Sequence, residues 1–328
     1  MSKTAVLSVL AVILSFLIYR NHAVNVIQPK LPVCKDCNVV IIDIDVLRAD
    51  ELSCYGYHRN TTPNICNLAE KGSVFERNYT QYVWTVPSSL STMVSQYASV
   101  HGVRNYWDKL SNQVSTMAEL FKIKGYQTYW VADPDTWTVT RGFGGERGFD
   151  QISFDHWETQ EWYQAFKEAE KKSDKPFFIH FYTKELHIPY SIEAGDKLIN
   201  EVQRPEGFPV TRKDHQNSLA EYLVENYREL FTDKAFKEHP EIFKNATMKN
   251  KDDLLAFFRT LPDNTDLVND MWMLELNSYI RHAADGGPEA VNFMRALYDT
   301  KLSQLDAKLG LLLEYLQTPQ YAPKTIVV

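Results

Sequence analysis

The chain has 328 residues, 44% of them hydrophobic and 23% charged, without excess glycine or proline. That is ample for a folded core of one large or two modest domains at about 150 residues each, and it excludes a disordered, fibrous or low-complexity protein. Thirty-five basic side chains against 42 acidic ones leave a formal charge of −7, the wrong sign for gathering a phosphate backbone, so nucleic acid is set aside as a partner.

The N-terminus differs in kind from the rest. After Met1, Ser2 and Lys3, an uncharged aliphatic run from Thr4 to Tyr19 is closed by Arg20, Asn21 and His22. It reads as an export signal. The run is short beside a spanning helix of about 20 residues, and no clean small-x-small cleavage site follows, so an uncleaved signal anchor and a signal peptide both fit. Residues 1–30 are therefore read as signal and short linker, with 31–328 membrane-anchored or secreted, outside the cytoplasm. Cys34, Cys37, Cys54 and Cys66 follow. Disulfides suit an oxidising compartment, with Cys54 to Cys66 closing a short loop, while free buried thiols and a zinc site are the competing assignments.

From Asn38 to Asp45, NVVIIDID is a β-branched run of the kind buried in a parallel sheet. Pro63 opens a short helix stopped near Gly72, SVFERNYT reads as a strand, and Pro87 opens a second helix. STMAELFKIKG is a helix from Ser115 stopped by Gly125, followed by the strand YQTYWVAD. A glycine-rich loop, RGFGGERGFD, leads to an amphipathic helix from about Trp157 to Lys172 and then the strand KPFFIHFYT. From Ser218 to about Gln317 the pattern is helical, and TIVV begins a last strand. This alternation predicts an α/β fold with a doubly wound, mainly parallel sheet flanked by helices, ligands at the carboxyl ends of its strands, and a helical insertion at about 194–287 over the pocket. Trp107, Trp130 and Trp137 read as core or pocket wall, a sugar platform being the sharper alternative, and His101 reads as structural.

Asp43 and Asp45 close the first strand. In context, the stretch from Asn38 to Val103 resembles the opening of the sulfatase family, within the alkaline phosphatase superfamily. The resemblance rests on IDVLRAD with CYGY, on TTPNICNLAEKGSVFERNY, on WTVPSS and on HFYTKELHIPY, and RALYDTKLSQLDAKLGLLLEYL is similar to the helix before the last core strand. It implies that Asp45 is the strand-end metal ligand, that Thr85 occupies the nucleophile position and also touches the metal, and that His187 contacts the anionic group. It further implies a divalent cation, Ca²⁺, Mn²⁺ or Mg²⁺, and an anionic sulfate or phosphate ester substrate, for which a glycan or a lipid is an open option. Elementary chemistry agrees: a cation beside a carboxylate stabilises a threonine alkoxide, a helix N-terminus favours a tetrahedral anion, and a histidine can protonate a leaving group.

The departures matter as much. T-V-P-S-S replaces the family's Cys/Ser-x-Pro-Ser-Arg, Val46 replaces the second aspartate of a metal pair, and a Lys-x-His segment after YQTYWVAD is missing. A threonine nucleophile looks more like the phosphotransfer branch, which includes lipoteichoic acid synthases and phosphoethanolamine transferases. The resemblance places the family's Asp-His-Gly metal segment just after a strand of the TIVV type, where this sequence stops. Two expectations follow: a metal-dependent hydrolase or transferase, or a truncated or non-catalytic sulfatase-like exported binding protein.

Overall fold

The computed structural model describes residues 34–105, 108–133, 142–154, 162–171, 175–192, 197–200, 202–211, 214–215 and 279–328. Residues 4–19 lie outside them, as do Trp107, Trp137 and most of the 194–287 insertion. Among the described residues no helix is long and apolar enough to cross a membrane.

Among the described residues five strands form one parallel sheet: β1 (Asn38–Ile44), β2 (Gln127–Ala132), β3 (Gln151–Phe154), β4 (Phe177–Thr183) and β5 (Thr325–Val327), in the order β3-β2-β4-β1-β5. Both β2 and β4 are buried at every position, as central strands covered on two faces must be. Alternation then sorts the side chains. Trp130, Ala132 and Tyr182 pack with Val86, Leu90, Met93 and Val94 of helix α2 (Thr85–Val94). On the opposite face Val40, Tyr129, Val131, Ile179 and Phe181 pack against α5 (Trp162–Glu170) and α6 (Gly287–Leu316). The doubly wound architecture is as the sequence predicts.

Other helices among the described residues include α1 (Pro63–Glu70), the single turn α3 (Ala98–His101) and α4 (Met117–Ile123). Thr116 and Glu119 form a reciprocal cap at the start of α4, which fixes that helix by local chemistry. SVFERNYT is not a strand: it is irregular and exposed, with Phe75 and Tyr79 each 74% accessible. Its residues find no open strand to pair with, and the Phe75 carbonyl instead accepts from the Tyr55 hydroxyl. QISF, which the sequence reading assigns to no element, is the edge strand β3. Residues 197–200 and 202–211, within the predicted helical insertion, are irregular. Trp130 is fully buried core, which removes it as a sugar platform. His101 is structural as expected: Val103 N–H donates to its Nδ1 and its Nε2 bonds Ser91 Oγ at 2.9 Å. Cys54 and Cys66 form a disulfide, as do Cys34 and Cys37, which rules out the free-thiol and zinc assignments.

Helix α6 pins the segment that leaves β1. The Tyr298 hydroxyl accepts from Arg48 N at 2.9 Å and donates to the Val46 carbonyl at 3.1 Å. The fully buried Asp299 accepts from Tyr57, Arg59 and Asn200. Asp306 accepts from the backbone N–H groups of Asn64 and Ile65, each at 2.9 Å, so a carboxylate far along the chain caps the first turn of α1. Three successive anchors on one helix thus fix the backbone between the end of β1 and the start of α1.

Candidate active site

The site lies at the carboxyl edge of the sheet, where β1 and β4 deliver polar side chains to the start of α2. Asp45 directly follows β1, and its N–H continues the ladder to the Thr183 carbonyl at 2.9 Å. The next residue, Val46, takes a left-handed φ of +53°, uncommon for a β-branched side chain, and turns the chain out of the sheet. That turn points the Val46 N–H back at Asp45 Oδ1 at 3.0 Å.

The other carboxylate oxygen is shared. Asp45 Oδ2 accepts from Thr85 Oγ1 at 3.2 Å and from the Tyr182 hydroxyl at 2.9 Å. Thr85 is the first residue of α2, not its cap; that position belongs to Trp84, whose side chain does not cap the helix. Pro87 therefore sits within the first turn, where its missing N–H costs no helical bond. The N-terminal end of α2 carries the partial positive charge of the helix toward Thr85 and Asp45. Asp45 and Thr85, both named in the sequence analysis, are thus in hydrogen-bonded contact.

His187 stands apart. It lies in the turn after β4, and its Nδ1 is 2.7 Å from the Ile188 carbonyl. A carbonyl can only accept, so Nδ1 carries hydrogen and Nε2 is the acceptor nitrogen of the neutral ring. No hydrogen bond among the described residues joins His187 to Asp45 or Thr85.

Two further carboxylates lie at this edge. Asp43, on the same face of β1 as Asp45, has Oδ2 3.5 Å from Nε2 of the buried His180. Asp133, at the end of β2, is 6% exposed and accepts from Thr183 Oγ1 at 2.8 Å and from Lys184 N at 2.6 Å. Burial pushes its carboxyl above the usual range despite those donors. The Tyr182 phenol is pushed far upward, first by burial and then by Asp45, Asp43 and Asp133, so it stands as a hydrogen-bond donor. Sequence reading did not single out Tyr182, His180 or Asp133. Alternation within HFYT places His180 and Tyr182 on one face, but only the strand register, Asp43 opposite Tyr182, shows that this face meets Asp45.

The donors suit a hard cation in kind: a carboxylate and a hydroxyl are oxygen ligands of the type taken by Ca²⁺, Mg²⁺ and Mn²⁺. Asp45 also has no cationic side chain paired with it among the described residues. In number they fall short of the roughly six oxygens such ions require, and among the described residues no three His, Cys, Asp or Glu side chains gather as a metal cluster.

Comparison with known proteins gives the family. Iduronate 2-sulfatase of Mus musculus is 31% identical over 97 residues, 29% of this chain and 17% of that protein. The arylsulfatase of Clostridium perfringens is 33% identical over 95 residues, 29% of this chain and 20% of that protein. A protein solved in complex with its substrate D-glucosamine-2-N,6-O-disulfate shares the fold, with a TM-score of 0.55 at 18% identity over 89% of this chain and 64% of that one. The matched segments span a fifth or less of those curated relatives and under two thirds of the solved chain. The sulfatase family model matches residues 37–328, the parallel sheet agrees with it, and the chain belongs to the sulfatase family of the alkaline phosphatase superfamily.

Proposed function

We propose that this chain is a metal-dependent hydrolase or transferase of anionic sulfate or phosphate esters, acting outside the cytoplasm and tethered through its N-terminal segment, with Thr85 as nucleophile. The observation that carries the reading is the 3.2 Å contact from Thr85 Oγ1 to Asp45 Oδ2 at the first residue of α2. A weak hydroxyl nucleophile needs a group to take its proton, and a carboxylate within hydrogen-bond reach supplies one. Thr85 Oγ1 then attacks the sulfur or phosphorus while the α2 N-terminus faces the anionic oxygens. His187 Nε2 contacts the ester and, when protonated, delivers the proton that the departing alkoxide needs. A Ca²⁺, Mn²⁺ or Mg²⁺ ion held by Asp45 and Thr85 would add stabilisation of the alkoxide charge. The two disulfides support an oxidising, extracytoplasmic setting.

Threonine in place of a formylglycine precursor favours phosphate mono- or diesters over sulfate esters. The test is turnover of p-nitrophenyl phosphate, bis(p-nitrophenyl) phosphate and p-nitrophenyl sulfate by the parent chain, Thr85→Ala and Thr85→Ser. We expect phosphate esters to be turned over best, Thr85→Ala to lose at least about 10³-fold in kcat, as removal of a nucleophile does, and Thr85→Ser to retain measurable activity. Undiminished activity in Thr85→Ala overturns the reading. A second reading, a sulfatase-like binding protein without turnover, is favoured by the small number of ligands around Asp45; micromolar ester binding with no turnover by any variant would establish it.

A further inference from the structure

We propose that Tyr182 is a positioning residue that holds the Asp45 carboxylate in the orientation from which it engages Thr85, an inference that rests on the reading of Thr85 and Asp45 given above. An aspartate carboxylate rotates through a broad, roughly two-fold torsional well, so its own backbone does not determine where its oxygens point. Here both oxygens are held. Val46 N–H fixes Oδ1 at 3.0 Å, and the Tyr182 hydroxyl fixes Oδ2 at 2.9 Å. Thr85 Oγ1 reaches the same Oδ2 at the longer distance of 3.2 Å.

The two holding groups differ in rigidity. Val46 is 47% exposed, in the turn that leaves the sheet. Tyr182 is 3% exposed, in register with Asp43 of β1 and Ala132 of β2, and its ring lies nearly parallel to that of the fully buried Trp130 at 6.3 Å between centroids. Its hydroxyl is therefore placed by the central strand and the core, and it passes that placement to a carboxylate lying just beyond a strand end. A group supported this way gives a reactive pair its geometry without touching the ester itself. Removing the hydroxyl leaves Oδ2 to Thr85 alone and frees the carboxylate to turn.

The test compares the parent chain with Tyr182→Phe, Asp45→Asn, their double variant, and p-aminophenylalanine at position 182, which keeps an aromatic ring with a donor. Tyr129→Phe is the control: this tyrosine is also buried in the sheet, but its hydroxyl donates to Gln127 on the opposite face. Turnover of bis(p-nitrophenyl) phosphate with Mn²⁺ gives kcat and KM. Unfolding in guanidinium with chelator present gives the coupling between positions 182 and 45 without any metal. We expect Tyr182→Phe to lower kcat about 10–100-fold, as loss of a supporting partner does, with KM moved by less than about threefold. The amino variant should recover most of that loss and Tyr129→Phe should change neither constant. The double-variant cycle should show coupling of roughly tenfold in the unfolding constant, the scale of a hydrogen bond to a charged group.

Parental kcat in a folded Tyr182→Phe protein, or coupling below about twofold, overturns the positioning role while leaving the proposed nucleophile intact. Absence of turnover in the parent chain overturns the reading of the site, and the positioning role with it. If Tyr182→Phe does not fold, the amino variant decides: kcat within about threefold of the parent supports the role, and a loss as deep as that of Asp45→Asn overturns it.

Discussion

The strongest consequence of the α6 anchors concerns Asp299. Its carboxylate is fully buried and accepts from the Tyr57 hydroxyl at 2.9 and 3.1 Å, from Arg59 Nη1 at 2.6 Å and from Asn200 Nδ2 at 3.1 Å. Asp299→Ala would strand those donors at once. Breaking a buried ion pair costs about 3–5 kcal/mol, and because the Arg59 side chain is 22% exposed and can regain water, the lower end, about 3 kcal/mol, is expected. Asp299→Asn keeps an acceptor oxygen but loses the charge, and should cost about half as much. At ~2 °C per kcal/mol for a domain of this size, Asp299→Ala lowers Tm by roughly 6 °C. Calorimetry and guanidinium unfolding measure both variants against Asp285→Ala, which breaks the surface pair Arg281–Asp285 and should cost under about 0.5 kcal/mol. If Asp299→Ala loses no more than that control, the segment after β1 is not held through this carboxylate and the account of α6 as its anchor is wrong.

Two further outcomes test the packing that supports the site. A Cβ on Gly310 of α6 would meet Asn64 Cγ at 2.7 Å and Nδ2 at 2.8 Å, and Asn64 is tied to Asp306; Gly310→Ala should therefore destabilise by about 1–3 kcal/mol, against the gain of about 1 kcal/mol usual for this change in a helix, and a raised Tm would show that α1 and α6 can separate freely. The Tyr321 hydroxyl, with help from Tyr315, Lys167 and Gln320, holds the Glu170 carboxyl below its usual range. A depressed folded pKa means stabilisation that is fully present above the unfolded value of about 4.3 and is lost as pH falls through the folded one. Unfolding followed from pH 7 down to pH 3 should show a loss in the parent chain that is smaller in Glu170→Gln, and identical slopes would remove Glu170 from the acid response.

Much was legible in the residues because local chemistry decides it. The run NVVIIDID is β1, STMAELFKIKG holds α4, Pro63 opens α1, and the alternation of strands and helices specifies a parallel sheet. Asp45 and Thr85 were singled out through the resemblance to the sulfatase family, and each sits at the end of an element, Asp45 just after β1 and Thr85 at the first residue of α2. What failed depends on partners that a sequence does not name. SVFERNYT carries strand-forming residues yet finds no strand to pair with, while the four residues of QISF become β3 because β2 offers them an edge. Tyr182 and His180 are ordinary members of a buried strand pattern until the pairing of β4 with β1 and its register bring them to Asp45 and Asp43. Periodicity of two assigns a side chain to a face, but which carboxylate shares that face is set by strand order and register. Those are properties of the whole sheet, and only the tertiary structure could decide them.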